Sequence, residues 1–251
     1  MMLPGMTTRR RTLVAAVMLA ICGALPASAS ALTVFAATSL TGVLPKIDSR
    51  PRYNTAGSDA LVMQIRNGAP ADVFAAANLD LPTKLWRDGL CSKPVVFATN
   101  RLVLITPRSN PGKITSVSSL ARGSRKTLVM GSATVPVGIY TRQALHKLGI
   151  FRATFAHNLV SNVANVGAVK SAVIGGADAG FVYFTDWLPD SSRLRRFAIA
   201  ASVQPPVRYG ICRVIRKGAD AAGAKAFIRR VQGPAARSKF KKAGFGVTRR
   251  G

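Results

Sequence analysis

The chain has 251 residues, which is long enough for one large domain or two small ones with a buried core. It is strongly basic, with 36 Lys and Arg against 9 Asp and Glu and a formal net charge of +27. Because the basic residues are spread from Arg50 to Arg250 without a dense tract, the charge indicates a solvated basic surface, and we expect no nucleic-acid partner.

The N-terminus has the pattern of an export signal. Three arginines at positions 9–11 precede an apolar run over residues 12–21, and small residues then provide a cleavage site after Ala29 or Ala31. The apolar run is shorter than the roughly 20 residues that span a bilayer. We therefore predict a signal peptide over residues 1–31 and a periplasmic or otherwise extracytoplasmic protein. The arginines leave both the general and the twin-arginine export route open.

Two cysteines follow the signal, Cys91 and Cys212. In an oxidising compartment they either form a disulfide or stay as buried thiols, and the sequence leaves both alternatives open. The two histidines, His146 and His157, are not at ligand spacing with each other or with a cysteine, so no metal site is predicted. Neither histidine lies in a catalytic motif, which argues against a hydrolase and for a protein that is not an enzyme.

Strand and helix patterns alternate from Thr33 onward, which predicts an α/β protein with parallel-rich sheets. The predicted strands and extended stretches are residues 33–37, 52–56, 72–76, 94–107, 127–131 and 180–183. The predicted helices are residues 40–47, 58–68, 136–148 and 166–174. Pro45 is unfavourable inside a helix, so the later part of the first predicted helix has the weaker support.

Two stretches, near residues 98–102 and 205–211, are placed to cross between two lobes. We predict a lobe I of residues 32–99 and 205–251 and a lobe II of residues 100–204. Ligands of open α/β sheets bind at the carboxyl ends of the strands, so two such lobes would face each other across a central ligand cleft.

Several strand-to-helix junctions would direct polar groups to this cleft. They are Ser39, Ser58, the Val135–Gly138 segment and the start of the helix at Val166, together with the strand-end Tyr183. Free N–H groups at helix N-termini bind anions. Each residue also has an ordinary interpretation, since serines are common helix caps and a strand tyrosine is commonly part of the core. The residues alone therefore indicate a cleft for a small anion without saying which anion.

Longer motifs are more specific. The segments TVFAATSLTGVL, AGSDALVMQIRNGAPADVFAAAN, VPVGIYTRQALHKLGI and GGADAGFVYFTD follow one another in order. Together they resemble the periplasmic molybdate-binding proteins of ABC transporters over nearly the whole chain after the signal. The resemblance implies a two-lobed periplasmic-binding-protein fold, type II-like. It also implies an exported monomer that captures molybdate, and tungstate as well, for a membrane permease and its ATPase.

In that family a tetrahedral oxyanion is held by serine hydroxyls, backbone N–H groups and a tyrosine hydroxyl, without a cofactor or a direct metal ligand. The resemblance transfers these roles to Ser39, Ser58, the backbone of Val137 and Tyr183. The remaining backbone donor falls on Val166, with Asn165 as the alternative register. A receptor for sulfate, phosphate or another small anion is the alternative function, because cavity size rather than donor type must separate these ligands.

Overall fold

Two five-stranded mixed sheets, both packed against helices, form the part of the chain that the computed structural model describes, Met1 and residues 31–247. The chain divides into Met1–Ser30 and Ala31–Gly251, and the fold belongs to the second unit. The predicted signal peptide, residues 1–31, lies outside the described residues except at its two ends.

The secondary structure alternates as the sequence predicts. The strands in chain order are β1 (Thr33–Ala37), β2 (Arg52–Ala56), β3 (Val73–Ala76), β4 (Val95–Thr99), β5 (Leu102–Pro107), β6 (Thr127–Gly131), β7 (Leu159–Val163), β8 (Ala179–Tyr183), β9 (Leu194–Ala198) and β10 (Arg208–Arg213). The helices are α1 (Leu44–Ile47), α2 (Ser58–Arg66), α3 (Asp80–Arg87), α4 (Pro136–Lys147), α5 (Phe151–His157), α6 (Val166–Ile174), α7 (Phe184–Trp187), α8 (Ala221–Val231) and α9 (Pro234–Lys242).

The first sheet has the strand order β2-β1-β3-β10-β4. Strand β1 pairs in parallel with β2 and β3, whereas β10 is antiparallel to both β3 and β4. Strand β10 thus returns from late in the chain to lie between two early strands. Strand β1 contributes buried residues to both core clusters, with Val34, Ala36 and Ala37 in one and Phe35 in the other. Such a strand is covered on both faces, which explains its continuous apolar sequence.

The second sheet repeats this plan with the order β7-β6-β8-β5-β9. Strand β6 pairs in parallel with β7 and β8, and β5 is antiparallel to β8 and β9. Each sheet therefore contains three parallel strands that end at the same edge. The predicted α/β fold class is confirmed.

The chain passes from the first sheet to the second at Asn100 and Arg101 and returns through residues 199–207. The return passage is fastened to the start of β5, since Gln204 accepts a hydrogen bond from the Leu102 N–H (3.0 Å) and donates one to the Leu102 carbonyl (2.8 Å). The stretch predicted as extended over residues 94–107 is consequently two strands that belong to different sheets.

The continuous helix predicted over residues 40–47 is wrong. Thr38–Leu40 forms a single 3-10 turn, and α1 begins only at Leu44. Thr41 and Gly42, both poor helix formers, lie in the turn between them. Pro45 is tolerated because it stands in the first turn of α1, where its missing N–H is not needed.

A disulfide joins Cys91 to Cys212 on β10, with 6.0 Å between the Cα atoms and a sequence separation of 121. Both cysteines are buried and belong to the smaller of the two core clusters. The structure thereby decides between the two alternatives that the sequence left open. Among the described helices, none combines the length and the apolar character that crossing a bilayer requires.

Candidate functional site

A small pocket lies where the two sets of parallel strands end. Strands β1, β2 and β3 of the first sheet and β6, β7 and β8 of the second all direct their carboxyl ends towards it. Its cavity volume is about 20 Å³, slightly more than one water needs. It is lined by Ala37, Thr38, Ser39, Ala56, Gly57, Ser58, Ala77, Val135, Pro136, Val137, Asn165, Val166 and Tyr183.

The structure brings all six residues singled out in the sequence to this one pocket. They are Ser39, Ser58, Val137, Asn165, Val166 and Tyr183. None of the described residues that line the pocket is a Lys, Arg, His, Asp or Glu. Any charge on a ligand must therefore be stabilised by neutral dipoles.

Ser39 does not cap a helix. It lies in the 3-10 turn that follows β1, where no side-chain capping bond forms, and it is buried. Its Oγ instead accepts a hydrogen bond of 2.9 Å from the hydroxyl of Tyr209, a residue of β10. Because Ser39 is the acceptor in this contact, its own hydroxyl hydrogen is free to be donated to a ligand.

Ser58, on a different element, is likewise a hydrogen-bond acceptor that does not cap its helix. It is the first residue of α2, the cap position is Gly57, and no side-chain capping bond is made there either. The Oγ of Ser58 accepts a hydrogen bond of 3.1 Å from the backbone N–H of Ala77, which directly follows β3. A backbone N–H can only donate, so this contact also leaves the serine hydroxyl hydrogen free.

Three helices of nine residues or more begin at the pocket wall. They are α2, α4 and α6, and the first-turn N–H groups of a helix have no partner within it. In α4 the N–H of Val137 belongs to this set, and in α6 that of Val166. Asn165 is the cap of α6, and its side-chain oxygen accepts from the Ala168 N–H at 2.9 Å. The amide oxygen of Asn165 is thus engaged in its own helix.

Tyr183 and Thr38 supply two further hydroxyls. The Oη of Tyr183 and the Oγ1 of Thr38 are buried, and neither has a hydrogen-bond partner among residues 31–247. Burial raises the pKa of Tyr183 well above its usual value, so the phenol keeps its proton and can donate. A buried hydroxyl without a partner is costly, and a ligand oxygen would remove that cost.

The two sheets meet closely at the rim of the pocket. Thr134, in the loop before α4, donates a hydrogen bond of 2.7 Å to the Asp59 carboxylate on α2. Gly57 stands beside the backbone of Ala164, and a Cβ at Gly57 would lie only 2.4 Å from the Ala164 carbonyl oxygen. Only glycine permits this approach between the end of β2 and the end of β7.

Sequence reasoning missed the residues behind the pocket. Tyr209 and Asn100 have no motif that marks them, and Tyr209 is 170 residues away in sequence from the serine that it contacts. Thr38 lines the pocket itself and belongs to the TVFAATSLTGVL segment, but its hydroxyl was given no role. Asp186, in α7 immediately after Tyr183, was also missed. Its Oδ2 is buried without a hydrogen-bond partner in the described part of the chain.

Burial raises the pKa of Asp186 to about 7, against the opposing effects of Lys170 and of the Tyr183 N–H. A carboxyl whose pKa is higher in the folded than in the unfolded state stabilises the fold at low pH, and that stability is lost as the pH rises from about 4 to 7. Asp186→Asn should therefore raise the free energy of unfolding at pH 8 by about 1–3 kcal/mol.

Urea unfolding of both proteins at pH 5 and pH 8 measures this effect, and the gain should be larger at pH 8. Asp88→Asn, which alters an exposed carboxylate paired with Arg66, is the matched control and should show no such gain. An equal effect of Asp186→Asn at both pH values would contradict the assignment of this titration to Asp186.

The geometry is that of a binding site for a small acceptor. Hydroxyl and N–H donors converge on a cavity of about 20 Å³, and the two serines are held as donors by their other contacts. Neither histidine lines the pocket, and His146 stacks on Phe151 with 3.9 Å between ring centroids. The described pocket residues thus include hydroxyls but no histidine or carboxylate base to activate one.

Comparisons with known proteins agree with this description. The family model of bacterial extracellular solute-binding proteins matches residues 32–246. The molybdate-binding protein ModA of Mycobacterium tuberculosis is 34% identical over 230 residues, which cover 86% of this chain and 85% of that protein. ModA of Escherichia coli is 29% identical over 255 residues, covering 93% and 95% of the two chains.

A solved structure is also similar to this chain. The periplasmic molybdate-binding protein of Azotobacter vinelandii matches with a TM-score of 0.75 and 25% identity, covering 87% of this chain and 100% of that chain. The resemblance and the periplasmic-binding-protein fold predicted from the motifs are confirmed. With a family model that matches almost every described residue, the chain belongs to the bacterial extracellular solute-binding proteins.

Proposed function

We propose that this protein binds molybdate, and tungstate as well, outside the cytoplasmic membrane and delivers it to the permease and ATPase of an ABC importer. The observation that carries the proposal is the uncharged pocket, in which two buried serines and the unpartnered Tyr183 hydroxyl face helix N-termini. The names of the relatives, at 29–34% identity, support molybdate as the ligand.

Neutral donors are well suited to a tetraoxo dianion. Hydrogen bonds to a charged acceptor are about twice as strong as those between neutral groups, and no cationic side chain has to lose its own hydration on binding. We assign direct contacts to the hydroxyls of Ser39, Ser58 and Tyr183 and to the N–H groups of Val137 and Val166. Asn165 would contribute through its backbone, since its side chain caps α6.

We also propose that the first sheet, with residues 32–99 and 205–251, and the second sheet, with residues 100–204, form two lobes that close on the anion. A ligand that bridges donors from both sheets would favour closure. The close approach of Gly57 to Ala164 and the bond between Thr134 and Asp59 would then belong to the closed state.

Gly57→Ala should weaken molybdate binding about 5- to 150-fold, the equivalent of about 1–3 kcal/mol of overpacking. The backbone at Gly57 (φ −58°, ψ 138°) is open to alanine, so the added methyl group acts through its neighbours, the Ala164 carbonyl oxygen at 2.4 Å and Oδ1 of Asp59 at 2.9 Å. Small-angle scattering should show less compaction with saturating molybdate than in the wild type. Gly42→Ala is the matched control, because a Cβ there meets no atom within 4 Å. Wild-type affinity and compaction in Gly57→Ala would remove closure at this contact from the proposal.

Calorimetric titration tests the function directly. The exported protein, freed of ligand by partial unfolding and dialysis, is titrated with molybdate, tungstate, sulfate and phosphate. We expect one molybdate or tungstate per chain and much weaker binding of the other two anions. Tightest binding of sulfate or phosphate would establish the alternative receptor function, and binding of none of the four would overturn the proposal.

The export signal predicted for residues 1–31 and the periplasmic location of the relative from Azotobacter vinelandii support a location outside the cytoplasm. We further propose that the protein acts as a monomer, because one chain supplies every wall of the described pocket. Size-exclusion chromatography with light scattering, with and without molybdate, measures the oligomeric state.

A further inference from the structure

We propose that Tyr209, itself held by Asn100, is a positioning residue that turns the hydroxyl hydrogen of Ser39 into the pocket. The inference rests on the proposed oxyanion-binding function and adds a determinant of specificity to it. It would make Ser39 an obligatory donor, so that the pocket favours anions without a proton of their own.

The direction of the hydrogen bonds is fixed from the backbone. The N–H of Arg101 can only donate, and it donates to Oδ1 of Asn100 at 2.9 Å. This contact fixes the orientation of the amide, so the Nδ2 group of Asn100 faces the other way. Nδ2 donates to Thr185 Oγ1 at 2.9 Å and to Tyr209 Oη at 3.2 Å.

The directions of the Tyr209 and Ser39 hydrogen bonds follow from the orientation of the Asn100 amide. Because Tyr209 Oη accepts from Asn100, its own hydrogen is available for the remaining contact, the bond of 2.9 Å to Ser39 Oγ. Ser39 then accepts from Tyr209 and keeps its hydrogen for the pocket that it lines. Four groups form one chain of bonds that runs from a backbone N–H to the ligand.

Burial makes this direction costly to reverse. Tyr209 is fully buried, and Asn100, Thr185 and Ser39 are each less than 10% exposed. Water cannot easily replace a lost partner at such positions, and an unsatisfied buried group is expensive. The ring of Tyr209 is fixed as well, in edge contacts with Phe97, Tyr183 and Phe245.

The chain of bonds also connects the two sheets. Asn100 stands at the passage from β4 to β5, Thr185 follows β8 of the second sheet, and Tyr209 belongs to β10 of the first. Ser39 is therefore held by a residue whose own partner contacts both sheets. A change of conformation in the passage between the sheets would therefore alter the orientation of the Ser39 hydroxyl.

Anion specificity follows from the orientation. One of the two lone pairs on each serine oxygen is used by a fixed donor, Tyr209 at Ser39 and the Ala77 N–H at Ser58, which leaves the hydroxyl hydrogen of each serine for the pocket. Molybdate presents acceptors only, whereas phosphate near neutral pH keeps at least one proton and needs an acceptor in the site. Without the Tyr209 hydroxyl, Ser39 could turn its hydrogen away from the pocket and present a lone pair to such a proton.

The test is a double-mutant cycle on molybdate affinity, measured by calorimetry. Tyr209→Phe should weaken molybdate binding about five- to twentyfold, which is the range for loss of one oriented hydrogen bond. Ser39→Ala combined with Tyr209→Phe should bind about as weakly as Ser39→Ala alone, because Tyr209 acts through Ser39. The ratio of phosphate to molybdate dissociation constants should fall in Tyr209→Phe.

The matched control is Tyr53→Phe, which removes a tyrosine hydroxyl that bonds to the Asp48 carbonyl at 2.5 Å and lies outside the pocket. Its affinity should equal that of the wild type. If Tyr209→Phe fails to fold, Asn100→Ala takes its place in the same cycle, with a loss of about two- to fivefold. Unchanged affinity in Tyr209→Phe, or losses that simply add to that of Ser39→Ala, would overturn the inference alone. A wild type that binds no oxyanion would overturn the proposed function first.

Discussion

Molybdate binding should fall about 10²- to 10⁴-fold when Ser39 and Ser58 are both replaced by alanine. Each serine would donate one hydrogen bond to a buried dianion, and a bond to a charged group contributes about 1.5–3 kcal/mol. The two residues are held by different partners, Tyr209 and the Ala77 N–H, so their losses should be close to additive. Calorimetric titration of the two single variants and the double variant measures the effect.

The control separates binding from folding. Ser92→Ala is matched to Ser58→Ala, because the Oγ of Ser92 also accepts a backbone N–H, that of Arg213, at 3.1 Å. Ser92 does not line the pocket, so its loss should lower stability in urea without changing affinity. If the double variant lost stability but bound molybdate like the wild type, both pocket serines would have a purely structural role and the proposed site would be wrong.

Loss of the disulfide should lower the free energy of unfolding by about 2–5 kcal/mol. The bond closes a loop with a sequence separation of 121 residues, and a cross-link over so long a loop strongly restricts the unfolded chain. Guanidinium unfolding of the wild type with and without reductant, and of the double variant Cys91→Ala and Cys212→Ala, should show equal shifts within this range.

Affinity provides the internal control for that experiment. Neither cysteine lines the pocket, and both pack in the smaller core cluster with Leu61, Phe74 and Leu85. Molybdate binding at a temperature where the reduced protein is still folded should therefore match that of the oxidised protein. Equal stability of the oxidised and reduced proteins would show that the bond does not constrain the unfolded chain.

Much of the fold could be predicted from local patterns. The bounds of β1, β2 and β6 agree with the residues predicted from apolar runs bordered by turn residues. The site residues were found because they stand where parallel strands end, and because the surrounding motifs resemble those of one family. Position at a strand end is a local property, so a single sequence displays it.

The parts that could not be predicted depend on contacts between distant residues. Nothing near Tyr209 in the sequence indicates that its hydroxyl meets Ser39, or that Asn100 lies behind it. Strand β10 pairs with two strands more than a hundred residues earlier, and the disulfide depends on that pairing. The 3-10 turn at Ser39 likewise replaces a helix that the apolar spacing favoured, since the tertiary fold decides which short turn forms.

The position of β10 determines when the binding site can come into existence. All five strands of the second sheet lie within residues 102–198, so that sheet has its complete set of strands once this contiguous stretch is available. The first sheet cannot be completed before residues 208–213 are available, because in the described fold β4 has β10 as its one neighbouring strand. Ser39 meets Tyr209 in the same late step. If the proposed export carries the chain across the membrane unfolded and N-terminus first, capture of the anion begins only after residues 208–213 have been translocated, whereas export of the folded protein would deliver a complete site.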